Sequence, residues 1–170
     1  SNALWALQSG AWKIFYPENN GREGLFINTI ALSVAAFGNE PWAVRFPSAV
    51  FGTLTVLGLY FLARELFRRA EGPEFVGLSP AEFIALAAAF LLAVSYWHLN
   101  FSRIGFRAIL APFFLVWAMA FLWILLRSDM ARVRRQIAIA GGAFYGLGFH
   151  SYIAYRVSPL LLILPIVQAI

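Results

Sequence analysis

The residues most able to do chemistry in this chain are arginines that stand among aromatic residues, glycines and asparagines. Arginine suits phosphate because its planar guanidinium can make two parallel hydrogen bonds to the anion. Several arginines around an apolar cleft would suit a phosphate that carries a lipid tail. The alternative for each single arginine is a position at a membrane surface, where it binds lipid phosphates generally. The candidate phosphate ligands are Arg22, Arg103, Arg107 and Arg156.

Glu23 is the candidate acid. It lies in the stretch Gly21-Arg22-Glu23-Gly24, where the neighbouring cation favours the ionised carboxylate. Such a group could act as a base or as a metal ligand. The alternative is a surface Glu–Arg pair in a turn. His98 and His150 lack the spacing of paired metal ligands, so we expect them to make hydrogen bonds, and the sequence assigns no metal ligand.

The composition limits the class of protein that can carry these residues. Of 170 residues, 61% are hydrophobic, 12% are charged and none is cysteine. A soluble domain has roughly 25% charged residues. These values exclude a disordered chain, a disulfide scaffold, a zinc site built on thiolates and an ordinary cytosolic enzyme. They indicate a polytopic membrane protein.

The positive charge does not indicate nucleic-acid binding. The net charge is +5, but twelve of the thirteen basic residues are arginines at the ends of apolar runs. Membrane proteins keep their arginines there, because a charge in the middle of the bilayer costs several kcal/mol. Nucleic-acid binders instead collect basic residues on one polar face of a soluble domain. We therefore expect membrane lipid as a partner, and no nucleic acid.

The apolar runs predict an all-α fold in two parts. Residues 1–42 form a first outer loop with short helices that lie on the membrane, and residues 43–170 form a transmembrane helix bundle. About five crossings are expected. They comprise residues 43–62, 83–97, 108–126 and 137–149, and a last helix that begins near Arg156.

The distribution of arginine also predicts an orientation. The short segments 63–82 and 127–136 are dense in arginine and, by alternation, lie on one side of the membrane. The positive-inside rule makes that side cytoplasmic. Residues 1–42, the loop 98–107 and the corner 150–156 then lie outside. All the candidate site residues fall in these outer segments.

Four motifs resemble, in order, those of the bacterial glycosyltransferase family 39. This family includes protein O-mannosyltransferases and lipid A aminoarabinose transferases, and it has the GT-C membrane fold. The motifs cover nearly the whole chain. They are Arg22-Glu23-Gly24-Leu25-Phe26-Ile27-Asn28; two neighbouring stretches, one from Phe37-Gly38-Asn39-Glu40-Pro41-Trp42 to Thr55-Val56 and the other Tyr60-Phe61-Leu62-Ala63-Arg64-Glu65-Leu66-Phe67; Ser95-Tyr96-Trp97-His98-Leu99-Asn100-Phe101-Ser102-Arg103-Ile104-Gly105-Phe106-Arg107; and Tyr152-Ile153-Ala154-Tyr155-Arg156 with Pro159.

The resemblance implies a multi-pass enzyme of the cell's inner membrane. It would transfer a sugar from a polyprenyl-phosphate donor to an acceptor at the outer face. Family members place a catalytic Asp, usually in an Asp-Glu pair, before the position that corresponds to Leu4. The resemblance therefore implies a fragment, truncated at both ends, that is inactive by itself and keeps Glu23 as an auxiliary acid.

Two departures from the family pattern bear on the site. Relatives often have an Asp soon after the Ser-Arg motif, where this chain has Arg107-Ala108-Ile109. This leaves a divalent metal as an open question. Relatives often have Lys-Pro-Pro where Arg22-Glu23-Gly24 stands here, so the resemblance makes Arg22 a candidate for the donor phosphate.

Two other functions fit the composition. A transporter or channel would have charged or broken helices at mid-membrane and an internal repeat. The spans 108–126 and 137–149 lack central charges, and no repeat is visible. A non-catalytic membrane subunit would keep the fold without the acid.

Overall fold

The computed structural model describes residues 2–17 and 22–163, and these are mostly helical. The predicted all-α class is confirmed. A two-residue antiparallel hairpin, β1 (Phe15–Tyr16) and β2 (Arg22–Glu23), lies in the first segment. The helices are α1 (Asn2–Ser9), α2 (Gly24–Phe37), α3 (Pro41–Leu66), α4 (Pro80–Val94), α5 (Tyr96–Arg103), α6 (Leu110–Arg127) and α7 (Ala131–Gly148). The described part also contains two 3-10 turns, Arg107–Ile109 and Ile153–Val157, and the second continues into helical residues 159–163.

Helix α3 is the element against which α2, α4, α5 and α6 pack. Its buried residues are small, and they include Ala43, Gly52, Thr55 and Gly58. Small residues let neighbouring backbones approach closely. A Cβ at Gly58 would lie 2.8 Å from Cγ1 of Val116 on α6. The glycine therefore sets the distance between α3 and α6.

Fewer helices meet the requirements for a membrane crossing than the five that the sequence predicts. In the described part of the chain, α3 and the segment Arg107–Arg127 are long and apolar enough. Helices α4 and α5 qualify only together, and a 59° bend separates them. Helix α7 begins with several arginines, and the apolar helix Ile153–Ile163 is short. The rest of the predicted last helix lies outside the described residues.

Two predicted loops are mostly helical. Only residues 128–130 separate α6 from α7, so most of the predicted loop 127–136 is the first turn and a half of α7. Arginine is a good helix former, and a charged sequence can therefore continue a helix beyond the apolar run. Most of the predicted loop 98–107 belongs to α5, because the chain returns to helical geometry directly after the extended residue Ser95.

The helices of the first segment pack against the bundle. Phe26 of α2 is buried with Ile109, Leu110 and Phe113. The Ser33 hydroxyl of α2 donates a hydrogen bond of 2.6 Å to the carbonyl oxygen of Ala43 on α3. These contacts attach α2 to the first turns of α3 and α6, so the adjacent residues of β2 are held close to the bundle.

Ion pairs mark the end of the bundle at which the predicted cytoplasmic segments meet. Arg64 at the end of α3 lies 3.6 Å from Glu82 at the start of α4. Arg127 at the end of α6 lies 3.7 Å from the Glu65 carboxylate. The two arginine-rich segments therefore lie at the same end of the bundle, as alternation predicts.

Candidate functional site

At the other end of the bundle, Glu23, Arg107 and Tyr152 form a contact that we call the Glu23 cluster. Nη1 of Arg107 donates a hydrogen bond of 2.8 Å to Oε2 of Glu23. The guanidinium carbon of Arg107 lies 5.5 Å from the centroid of the Tyr152 ring, a cation–π distance. The side chains of Arg107 and Glu23 are only 23% and 13% exposed. The cluster joins three segments that are far apart in the sequence.

Local backbone geometry places each member of the Glu23 cluster. Glu23 is the extended residue at which β2 ends and α2 begins. Arg107 opens the 3-10 turn that leads into α6, and Gly105 has a φ of +73°, which lets the chain reverse after α5. A Cβ at Gly105 would lie 3.5 Å from the Val44 carbonyl, so this turn packs on the first turns of α3.

The partner of Glu23 is not the cation that its sequence neighbourhood indicates. Arg22 is adjacent in sequence and is exposed, and successive residues of an extended strand point to opposite faces. The ion pair is instead with Arg107, 84 residues away. Because the Glu23 side chain is largely buried, an exposed Glu–Arg pair in a turn does not describe it. The role of Glu23 as an auxiliary acid stays a prediction.

A second group of polar residues lies between α3 and α5. His98 is 8% exposed, and its Nε2 is 3.0 Å from the carbonyl oxygen of Gly52. A carbonyl oxygen can only accept a hydrogen bond, so Nε2 of His98 carries the proton that it donates to Gly52. The predicted hydrogen bond of His98 is confirmed. Ser48 of α3 also donates a bond of 3.0 Å to the carbonyl oxygen of Ser102.

A cavity of about 260 Å³ opens beside this group, and we call it the Arg103 cavity. Residues of α3, α4 and α5 line it. The walls are largely apolar, and Arg103 supplies a cationic group at the last turn of α5. Its polar lining residues are Thr53, His98, Ser102 and Arg103.

The four predicted phosphate ligands divide into two kinds. Arg22, Arg103 and Arg156 are exposed. No carboxylate of the described residues lies within ion-pair distance of these three, whereas Arg107 is paired with Glu23. Only Arg103 of the four lines the cavity. The prediction that all four bind phosphate stays a prediction.

Residues 2–17 and 22–163 contain no group of three His, Asp or Glu side chains that could hold a metal ion. The catalytic Asp that the family resemblance implies before Leu4 is not part of this sequence. Gly21, from the motif around Glu23, lies outside the described residues.

Gly52 and Tyr152 both lie within the sequence motifs, but the sequence does not predict the contacts that they make at this end of the bundle. A Cβ at Gly52 would lie 2.5 Å from Cβ of Ser102, so Gly52 is required for α5 to lie on α3. The recurrence of small residues at helical spacing along 43–63 is the sequence signal that indicates such a packing face. Tyr152 carries no comparable signal, because its contact with Arg107 depends on the fold.

A helical bundle with membrane-type apolar helices and a cationic cavity at one end defines the class as a multi-helix membrane protein. Residues 25–168 match the family model described as dolichyl-phosphate-mannose-protein mannosyltransferase. The chain belongs to this family, and the resemblance predicted from the motifs is confirmed. No curated protein and no solved structure is similar enough to the chain to count as a match.

Proposed function

We propose that the chain is part of an enzyme that transfers a sugar from a polyprenyl-phosphate donor to an acceptor at the outer face of the cell's inner membrane. The observation that supports this proposal best is the Arg103 cavity. Arg103 brings a cation without a carboxylate partner among the described residues to a cavity whose walls are largely apolar. A lipid-linked phosphate needs the same combination of an apolar surface and a cation.

The chemistry of the reaction explains why a cation belongs there. When a sugar leaves its carrier, the bond between the anomeric carbon and the phosphate oxygen breaks, and negative charge grows on the phosphate. A fixed guanidinium stabilises that charge by charge-assisted hydrogen bonds. Arg22 and Arg156 are the further exposed candidates for this role. We assign the acceptor's deprotonation to the Asp expected before Leu4, since the Glu23 carboxylate is already occupied by the hydrogen bond from Arg107.

The first test is binding of undecaprenyl phosphate to the chain in lipid nanodiscs. We expect Arg103→Ala to weaken binding about tenfold or more, because a hydrogen bond to a charged group contributes roughly 1.5–3 kcal/mol. Undecaprenol, which lacks the phosphate, should bind equally to both proteins. Arg69→Ala is the matched control, since Arg69 is exposed just beyond the other end of α3. Equal binding of the phosphate by wild type and Arg103→Ala would remove the proposal.

A second prediction concerns catalysis. We expect residues 1–170 alone to bind the donor but to transfer no sugar, because no described carboxylate at this end of the bundle is both unpaired and next to the Arg103 cavity. The measurement is release of radiolabelled mannose from a polyprenyl-phosphate mannose, with a heat-treated sample as the control. Transfer above that control would show that the chain already contains its base.

A further inference from the structure

The Glu23 cluster is built to hold two parts of the molecule together. One hydrogen-bonded ion pair connects β2 to the 3-10 turn before α6, and the ring of Tyr152 brings in the corner after α7. Phe106, the residue before Arg107, also contacts Tyr152, with the two ring centroids 6.2 Å apart. These polar and aromatic contacts add to the apolar packing of Phe26 and Tyr155 against Ile109 and Leu110.

We propose that Glu23 and Arg107 are positioning residues, and that Arg107 does not itself bind the donor phosphate. The pair fixes β2 against the bundle, and therefore fixes the adjacent Arg22. This inference deepens the proposed function, because it separates the arginines that bind phosphate from the one that arranges them.

Charge and burial support this assignment. The Arg107 guanidinium is already compensated by the Glu23 carboxylate at 2.8 Å. If Arg107 turned to a phosphate, it would leave a carboxylate that is only 13% exposed without its partner. Such a loss is costly, because a buried charge that loses its partner keeps its full desolvation penalty. Arg22 and Arg103, which are exposed, do not have this cost.

The contact with Tyr152 also favours a fixed Arg107. A guanidinium over an aromatic face is held in orientation as well as in place. The ring of Tyr152 is itself in contact with Phe106, which stacks on Phe101 of α5 at 5.5 Å. Arg107 is therefore enclosed by a carboxylate and by an aromatic surface that extends to α5.

The test is a charge exchange between positions 23 and 107. The variants are Glu23→Gln, Arg107→Gln and the double variant Glu23→Arg with Arg107→Glu, each prepared as the full chain in nanodiscs. Two properties are measured: hydrogen–deuterium exchange of the amides in β2 and α2, and affinity for undecaprenyl phosphate. Arg69→Gln, which removes an exposed arginine near the other end of α3, is the matched control and should change neither property.

We expect each single variant to raise amide exchange at residues 22–31 severalfold and to weaken phosphate binding severalfold. The double variant should recover both properties, because the ion pair is restored with its charges reversed. If the double variant regains slow amide exchange but not phosphate binding, the proposal is overturned and Arg107 is a direct phosphate ligand. Unchanged exchange in both single variants would show that the pair positions nothing.

The two readouts also separate this inference from the proposed function. If wild-type protein does not bind undecaprenyl phosphate at all, the proposed function fails. The exchange measurement then still decides whether Glu23 and Arg107 hold the first segment on the bundle. Arg107→Lys is an intermediate variant, because lysine keeps the charge but not the planar contact with Tyr152. We expect its amide exchange rates to lie between those of wild type and those of Arg107→Gln.

Discussion

Gly52→Ala should force α5 away from α3 and distort the Arg103 cavity, which both helices line. The new methyl carbon would lie 2.5 Å from Cβ of Ser102, a distance that side-chain rotation cannot relieve. Overpacking of this kind costs roughly 1–3 kcal/mol. The shift would also break the bond between Nε2 of His98 and the Gly52 carbonyl. We expect a lower midpoint of thermal unfolding and a loss of undecaprenyl phosphate binding at least as large as that of Arg103→Ala.

The chain offers a control and a compensating change for this prediction. Gly146→Ala adds the same methyl group where no other atom lies within 4 Å, and it should leave both properties unchanged. Adding Ser102→Gly to Gly52→Ala removes the carbon that the new methyl group meets. The double variant should therefore regain most of the lost stability and binding. If Gly52→Ala behaves like Gly146→Ala, the close contact between α3 and α5 is wrong.

Gly24→Ala should detach the hairpin from the start of α2. A Cβ at this position would overlap the carbonyl oxygen of Lys13 and would lie 2.9 Å from that of Ile14. Both are backbone atoms, so the strand itself has to move. The hydrogen bond of 2.6 Å from the Gly24 amide to the Ile14 carbonyl would be lost with it. The expected cost is roughly 1–3 kcal/mol.

Hydrogen exchange gives the measurement for Gly24→Ala. We expect faster exchange at residues 13–17 and 22–31, together with weaker phosphate binding, because Glu23 immediately precedes the displaced residue. The amides of α6 should keep their protection, which distinguishes a local change from general unfolding. Gly142→Ala on α7, with open space around the added carbon, is the control. Unaltered exchange in Gly24→Ala would contradict the described hairpin.

Hydrophobicity predicts the long helices of this fold well, but it does not predict where charged helices begin. The apolar runs at 43–62 and 108–126 correspond to α3 and to the helical segment that includes α6. The arginines of 127–136 suggest a loop, yet helix formation tolerates them when they face outward from the bundle. The sequence around Ser95 shows a change in polarity, but the 59° bend follows from tertiary packing that a single sequence does not display.

The candidate site is predictable as a set of residues but not as a set of contacts. Arginine content and motif order indicate Arg22, Arg103 and Arg107 without a structure. The sequence pairs Glu23 with its neighbour Arg22, because adjacency is the only proximity that a sequence displays. The ion pair with Arg107 depends on how α2 packs on α6. For the same reason, the Arg103 cavity follows from the closeness of α3 to α5.

The long separation between Glu23 and Arg107 has a consequence for how the molecule is made. Synthesis proceeds from the amino terminus, and 84 residues separate the two partners. Phe26 likewise packs on Ile109 and Leu110, which are made late. The first segment therefore emerges from the ribosome before α6, which supplies part of the surface that covers it. Closing the loop between Glu23 and Arg107 adds little entropy cost. The contact between the two residues nevertheless forms only after α3, α4 and α5 are synthesised. Docking of the first segment on α6 is therefore a late step of folding.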